Sequence, residues 1–292
     1  MTQTQRSRLL LVPALLALVA CGSDATSPTD SPARVRIVNS AFQFTDAAST
    51  ASKAVPVAVD VLIDSIAASP SALALPSGAV YAQGDTSRYV RIASGAHAFF
   101  ARLAGQSQVT AALFTNANNL PYVPREFLPA EIPYTLIIAG IAPVTAAPGT
   151  TQALMPATAF PFVMLPDDPF APAQSGGAYQ VRLRLINAAP FATAAGTGAT
   201  VSLYLTQGAT PPASVTGLTK LGDALYRNGS AYFNQPAGSY VVTVTAGTVI
   251  LAQLPLTMAA GEVRTFVLQS TAAAATPGVA NHRLTSLLDA KY

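Results

Sequence analysis

Arg34-Val35-Arg36-Ile37-Val38-Asn39 near the start of the chain and Arg182-Leu183-Arg184-Leu185-Ile186-Asn187 in its second half set arginines at every second position between apolar residues, and each closes on an asparagine. Alternation with a period of two is the mark of a strand, because successive side chains point to opposite faces. The same signal runs through Val57, Val59, Val61 and Ile63, which alternate with Ala58, Asp60, Leu62 and Asp64. Similar short runs recur at about 87–93, 96–103, 108–114, 132–139 and 159–165, separated by Gly, Pro, Ser and Asn. No apolar helical pattern of comparable strength competes with them. Many short strands with frequent turns predict an all-β chain built as an antiparallel sandwich or barrel.

The order of elements then repeats. After the two arginine strands, Val57-Ala58-Val59-Asp60-Val61 answers to Thr200-Val201-Ser202-Leu203-Tyr204-Leu205, and Tyr81-Ala82-Gln83-Gly84 to Tyr226-Arg227-Asn228-Gly229. Ala93-Ser94-Gly95 answers to Pro236-Ala237-Gly238, and Pro129-Ala130-Glu131 to Ala260-Gly261-Glu262. Two copies of this length are whole domains rather than propeller blades or solenoid units. The expected modules are 33–166 and 178–292, two tandem immunoglobulin-like β-sandwiches. Pro- and Gly-rich residues 167–177 join them as a linker, in which Asp167 and Asp168 read as a solvated turn.

These strand and turn residues resemble the bacterial domain of unknown function 4397, whose members are typically exported, β-rich and often tandem. The resemblance covers most of both modules. The first departs from the pattern by long insertions and lacks the Asn-Ala-x-Pro form of Asn187-Ala188-Ala189-Pro190. It implies no catalytic residue.

The N-terminus gives a separate signal. Arg6 and Arg8 precede an apolar run from Leu9 to Ala20, too short for the ~20 residues of a membrane-spanning helix. Leu18-Val19-Ala20-Cys21 follows and resembles a bacterial lipobox, a resemblance that implies a lipoprotein signal peptide over 1–20 and acylation of Cys21 as the new N-terminus; a simple secretory signal and a short buried helix are the other readings. More than one acyl chain makes such an anchor stable. Residues 21–32 read as a lipidated, flexible tether, and Gly22 after the cysteine favours the outer membrane.

Composition narrows the function. With 51% apolar and 10% charged residues the chain buries real cores, and disorder over most of its length is excluded. Loss of Arg6 and Arg8 leaves the charge close to neutral with scattered arginines, which excludes nucleic acid as a partner. Cys21 is the one cysteine, so no intrachain disulfide and no thiolate metal cluster can form.

The search for chemistry gives little. His97 and His282 fall in different modules, the first as a packed or rim residue and the second as an exposed one near the C-terminus. Asp60, Asp64 and Asp85 lack the spacing of a calcium loop. No nucleophile elbow, Walker loop or dinucleotide fingerprint is present. Tyr89, Tyr134, Tyr232 and Tyr240 read as core or sheet-face residues, and Asn228-Gly229 as a type I′ hairpin turn.

The expectation is a non-enzymatic, lipid-anchored envelope protein that acts as a binding or structural module. It has no cofactor, no catalytic residue and no metal site; membrane lipid is met through Cys21, and an envelope protein or polysaccharide is the partner. Two similar faces on one tether would give avidity. A carbohydrate-active or peptide-hydrolysing enzyme and a passive surface spacer are the alternatives.

Overall fold

The computed structural model describes residues 32–44, 54–63, 81–104, 125–142, 162–167, 170–190, 199–272 and 278–292. The chain is all-β and forms sandwiches, as its period of two predicts. In the N-terminal half, β1 (Ala33–Phe44), β2 (Ala54–Pro56), β4 (Val90–Ile92), β7 (Pro133–Ala142) and β8 (Phe162–Pro166) make one sheet. A second sheet holds β3 (Val59–Ile63), β5 (Gly95–Leu103) and β6 (Arg125–Leu128). Val35 and Ile37 of β1 and Leu136 and Ile138 of β7 meet Val59, Val61, Phe99 and Leu128 between the two sheets, all buried.

A small hairpin follows, β9 (Gln174–Ser175) and β10 (Ala178–Tyr179), turned by Gly176 and Gly177 at φ 61° and 81°. Both positive angles are what a two-residue type I′ turn requires.

In the C-terminal half, β11 (Val181–Asn187), β14 (Asn228–Gly229), β15 (Phe233–Gln235), β18 (Glu262–Ser270) and β19 (His282–Lys291) form one sheet. The other contains β12 (Val201–Gln207), β13 (Lys220–Ala224), β16 (Gly238–Ala246) and β17 (Val249–Met258). Leu183, Leu185, Phe266 and Leu268 pack on Val201, Leu203, Val242, Val244 and Leu251 between them.

The expected antiparallel pairing is modified at the centre of each half. β1 runs parallel to β7 and β11 runs parallel to β18, while the remaining ladders are antiparallel. A parallel pair needs a long crossover, and here the intervening strands of the opposite sheet supply it.

The two halves also stack on one another. Val38, Ile137 and Ala139 form one cluster with Ile186, Ala188, Val267 and Leu287, with Val163 and Leu165 at its margin. The β1-β7-β8 sheet therefore lies back to back against β11-β18-β19, and the result is four layers with three cores. Each central sheet is covered on both faces, which explains unbroken buried runs such as Tyr134 to Ala139.

Register revises three details of the internal repeat. Ile37 and Leu185 bond Ser87 and Ser230 in the same way, so Gly84 matches Arg227 rather than Gly229. Gly84 at φ 91° and Arg227 at φ 60° share the left-handed turn position. Asn228-Gly229 is thus a short strand paired with Ile186 and Asn187, and the positive φ expected there falls on Arg227. Because Thr135 and Thr265 hold equivalent registers, Glu131 matches Gly261, at φ 69° and 81°.

Candidate functional site

Asn39 and Asn187, at equivalent positions, do matching work. Asn39 accepts from the Ala41 N–H at 3.0 Å and donates to the Val57 carbonyl at 2.9 Å. Asn187 accepts from the Ala189 N–H at 3.1 Å and donates to the Ala199 carbonyl at 2.8 Å. Asn187 ends β11, whereas β1 runs on past Asn39 to Phe44, so the expected strand end holds only in the second half; in both, the amide ties the segment that leads into the next strand of the opposite sheet.

Between the halves lies a duplicated polar cluster. Arg36 Nε donates to Thr135 Oγ1 at 2.7 Å, and Arg184 Nε to Thr265 Oγ1 at 3.0 Å. Thr135 donates to Asp167 at 2.8 Å and Thr265 to Asp289 at 2.6 Å. Tyr89 donates to Asp167 at 2.5 Å and Tyr232 to Asp289 at 3.4 Å. The Arg36 and Arg184 guanidinium groups sit 4.9 and 4.8 Å from the centroids of the Tyr89 and Tyr232 rings.

The ion pairs cross from one half to the other. Arg36 reaches Asp289 at 2.6 Å, and Arg184 pairs with Asp167. Arg36 also approaches Asp167, at 3.4 Å. Every side chain in these pairs is nearly sealed from solvent, at 5% exposure or less. Ser40 Oγ donates to the Ala188 carbonyl at 2.7 Å and Gln269 Nε2 to the Asn39 carbonyl at 3.0 Å, both across the same interface. Gln83 bonds the Ser270 carbonyl, and the Arg283 guanidinium lies where a side chain at Gly84 would project.

Burial sets the electrostatics. Desolvation raises the Asp289 carboxyl above its usual range, against the lowering effect of Arg36. For Arg36 burial acts downward, but Asp167 and Asp289 outweigh it and hold the guanidinium above its ordinary value. Burial drives the Tyr89 phenol far upward, so it stays a donor. A saturated, water-excluded cluster of this kind binds the halves together and offers no open position to a substrate.

Asp167 is thus corrected: the expected solvated turn residue is 1% exposed and sits at the centre of the cluster. His282 is corrected as well, being buried at 6% exposure with Nδ1 2.8 Å from the Gly278 carbonyl. His97 is half-buried on β5, 2.7 Å from the Ala93 carbonyl, and its counterpart Tyr240 bonds Pro236 at 3.0 Å. Tyr134 and Tyr240 belong to the two sandwich cores, while Tyr89 and Tyr232 belong to the interface cluster. Asp85 is exposed and caps its own turn by accepting from the Ala82 N–H at 2.9 Å.

Cys21, Asp64 and Asp168, and the Asp60 side chain, lie outside the described residues. Among the described residues no group of three or more His, Cys, Asp or Glu side chains gathers to hold a metal ion. Among the same residues no helix is long and apolar enough to cross a membrane.

Sequence reasoning missed the cluster because Arg36 and Arg184 look like the solvent side of amphipathic strands. The available signal was their recurrence: Arg36, Tyr89, Thr135 and Asp167 each have an identical residue at the equivalent position of the second half.

No protein-family model and no curated protein matches the chain. Among solved structures it is similar to a protein assigned to cell adhesion from Bacteroides uniformis, at 11% identity and a TM-score of 0.24, covering 89% of this chain and 99% of that one. The fimbrial anchor protein Mfa2 from Porphyromonas gingivalis matches at 11% identity and a TM-score of 0.21, covering 89% of this chain and 100% of that one. The Bacillus anthracis TIE protein matches at 12% identity and a TM-score of 0.20 over 82% of this chain, which spans 34% of that protein's length. At such low scores the role of this chain rests on its own residues.

Proposed function

We propose that the chain is a non-enzymatic module of the bacterial cell envelope, anchored by acylation of Cys21, in the outer membrane, and acting by binding or by structural support. The observation that carries this reading is the crossed Arg36–Asp289 and Arg184–Asp167 pairing, which joins the halves into one stiff block. The most elaborate polar cluster of the described residues is spent on internal cohesion. On this reading the anchored residue, Cys21, stands 12 positions before the first strand, β1 at Ala33.

The stacking changes how two similar faces are used. The β3-β5-β6 and β13-β12-β16-β17 sheets form the two outer layers and look in opposite directions. They suit contacts to two partners on either side, an envelope protein or a polysaccharide, better than avid binding to one flat surface.

The test is palmitate labelling of membrane fractions with in-cell crosslinking, comparing wild type with Cys21→Ala. Labelling is expected in the wild type and absent from the variant, with envelope partners captured by the anchored protein. Persistent labelling in Cys21→Ala would overturn the anchor.

A further inference from the structure

The outward face of β13-β12-β16-β17 carries a feature that folding alone does not explain. On β16, Val242 and Val244 point into the sandwich core, so Thr243 and Thr245 point outward. Both are nevertheless 0% exposed. The hydroxyls of Thr243, Thr245 and neighbouring Thr206 are buried without a hydrogen-bond partner among the described residues. Cross-strand register puts Thr243 between Tyr204 and Gln253, Thr245 between Ser202 and Ile250, and Thr206 beside Val241.

A buried hydroxyl with no partner lowers stability, and a native structure tolerates few of them. Valine has the same shape, suits a strand better and already occupies positions 241, 242 and 244. Three orphan hydroxyls on one face of a valine-rich strand pair are therefore best explained by a ligand. Where a sequence breaks a folding rule without compensation, function is the usual reason.

The chemistry of the face defines the ligand. A hydroxyl both donates and accepts, as does the Gln253 amide, so the face complements a molecule that offers hydroxyls. Tyr204 supplies an aromatic ring beside them. The nearby charges cancel, since Lys220 pairs with Asp223 at 2.8 Å, so the centre of the face is neutral.

The approach is also visible. The loop 208–219 is tied to this face by Gln253 Nε2, which donates to the Pro212 carbonyl at 2.7 Å. Gly208 and Gly217 hold φ 105° and 80° within it, the left-handed region that glycine favours. Beside the face, Pro211 and Gln253 join Ala252, Val279, His282, Arg283 and Leu284 around a recess of about 410 Å3, which Gln253 alone of the residues of this face lines.

We propose that Thr206, Thr243 and Thr245, with Tyr204 and Gln253, form a site for a neutral glycan chain, reached when the 208–219 strap lifts. This deepens the polysaccharide side of the proposed function and rests on it. The test uses the chain from residue 21 with Cys21→Ala, titrated calorimetrically with chitohexaose, cellohexaose and maltoheptaose. The wild-type face is expected to bind at least one of these saturably. Thr243→Val with Thr245→Val is expected to weaken that binding by about tenfold or more while raising the melting temperature.

A stability gain with loss of binding is the signature of hydroxyls kept for a ligand. No saturable binding to any of the three, unchanged affinity in the valine variant, or a lower melting temperature would each overturn the site. Because the protein titrated carries no lipid, those failures leave the labelling and crosslinking result at Cys21 untouched.

Discussion

Replacing Asp167 by alanine removes one carboxylate that accepts from Thr135 at 2.8 and 2.9 Å, from Tyr89 at 2.5 Å, from Arg36 at 3.4 Å and from Arg184. Arg36 keeps Asp289, but Arg184 is left with only the Pro166 carbonyl and Thr265 as neutral acceptors. Removing one partner of a buried pair strands the other charge and costs about 3–5 kcal/mol, whereas a solvent-exposed pair contributes about 0–1 kcal/mol. The predicted loss is a large part of the ~5–15 kcal/mol that folded domains typically have.

Urea unfolding of the Cys21→Ala protein, followed by tyrosine fluorescence, measures it. Wild type is expected to unfold in one transition, since Arg36 and Asp289 tie opposite ends of the chain together. Asp167→Ala should shift the midpoint by the full amount and split the curve as the halves lose their coupling. Asp223→Ala, which breaks the exposed pair with Lys220, should leave the midpoint in place. A cost below about 1 kcal/mol for Asp167→Ala, with the single transition retained, would refute the claim that this cluster holds the halves together.

Two buried carboxyls, Asp289 in the cluster and Glu262 beside Arg264 outside it, respond oppositely to pH. Burial raises the folded-state pKa of Asp289, so its contribution is fully present at low pH and is lost as pH rises through the carboxylate range and above. For Glu262 burial acts upward, but the Arg264 bond at 2.7 Å prevails and lowers the pKa, so its contribution is present at neutral pH and lost on acidification. Melting temperatures across pH 3 to 7, on the order of the carboxylate range, should show the advantage of wild type over Asp289→Asn shrinking with rising pH and that over Glu262→Gln growing; parallel trends would contradict this. Gly261→Ala must adopt φ 81° and drive its methyl group into the Tyr292 backbone, costing more than ~1 kcal/mol, while Glu131→Gly at φ 69° should gain up to ~1 kcal/mol in the same unfolding assay. Asn39→Ala, which removes the side-chain partner of the Val57 carbonyl and of the Ala41 N–H and leaves the Tyr81 carbonyl with the Val59 N–H, should cost about 1–3 kcal/mol by urea unfolding.

Most of the architecture was legible in the sequence because a period of two records which residues can share a face. Val35, Ile37, Leu183 and Leu185 fall on core faces as the alternation requires. The repeat also registered the equivalent strands, although identity of turn residues misled by a few positions where register did not. Tyr81 faces Val59 much as Ala224 faces Val201, so the two Tyr-x-x-Gly stretches do not correspond.

What periodicity leaves open is whether the second face of a strand meets water or another layer. Arg36 and Arg184 alternate with apolar residues in the same pattern whether solvent or an opposing sheet lies beyond them. Only the stacking of the halves made that second face an interior, where charge must be paired, and so converted Asp167 from a linker residue into the centre of a cluster. Local sequence thus determined strands and cores, because each depends on neighbours along the chain. The parallel pairings, the four-layer stack and the crossed ion pairs bring together residues as distant as Arg36 and Asp289, and tertiary structure alone decided them.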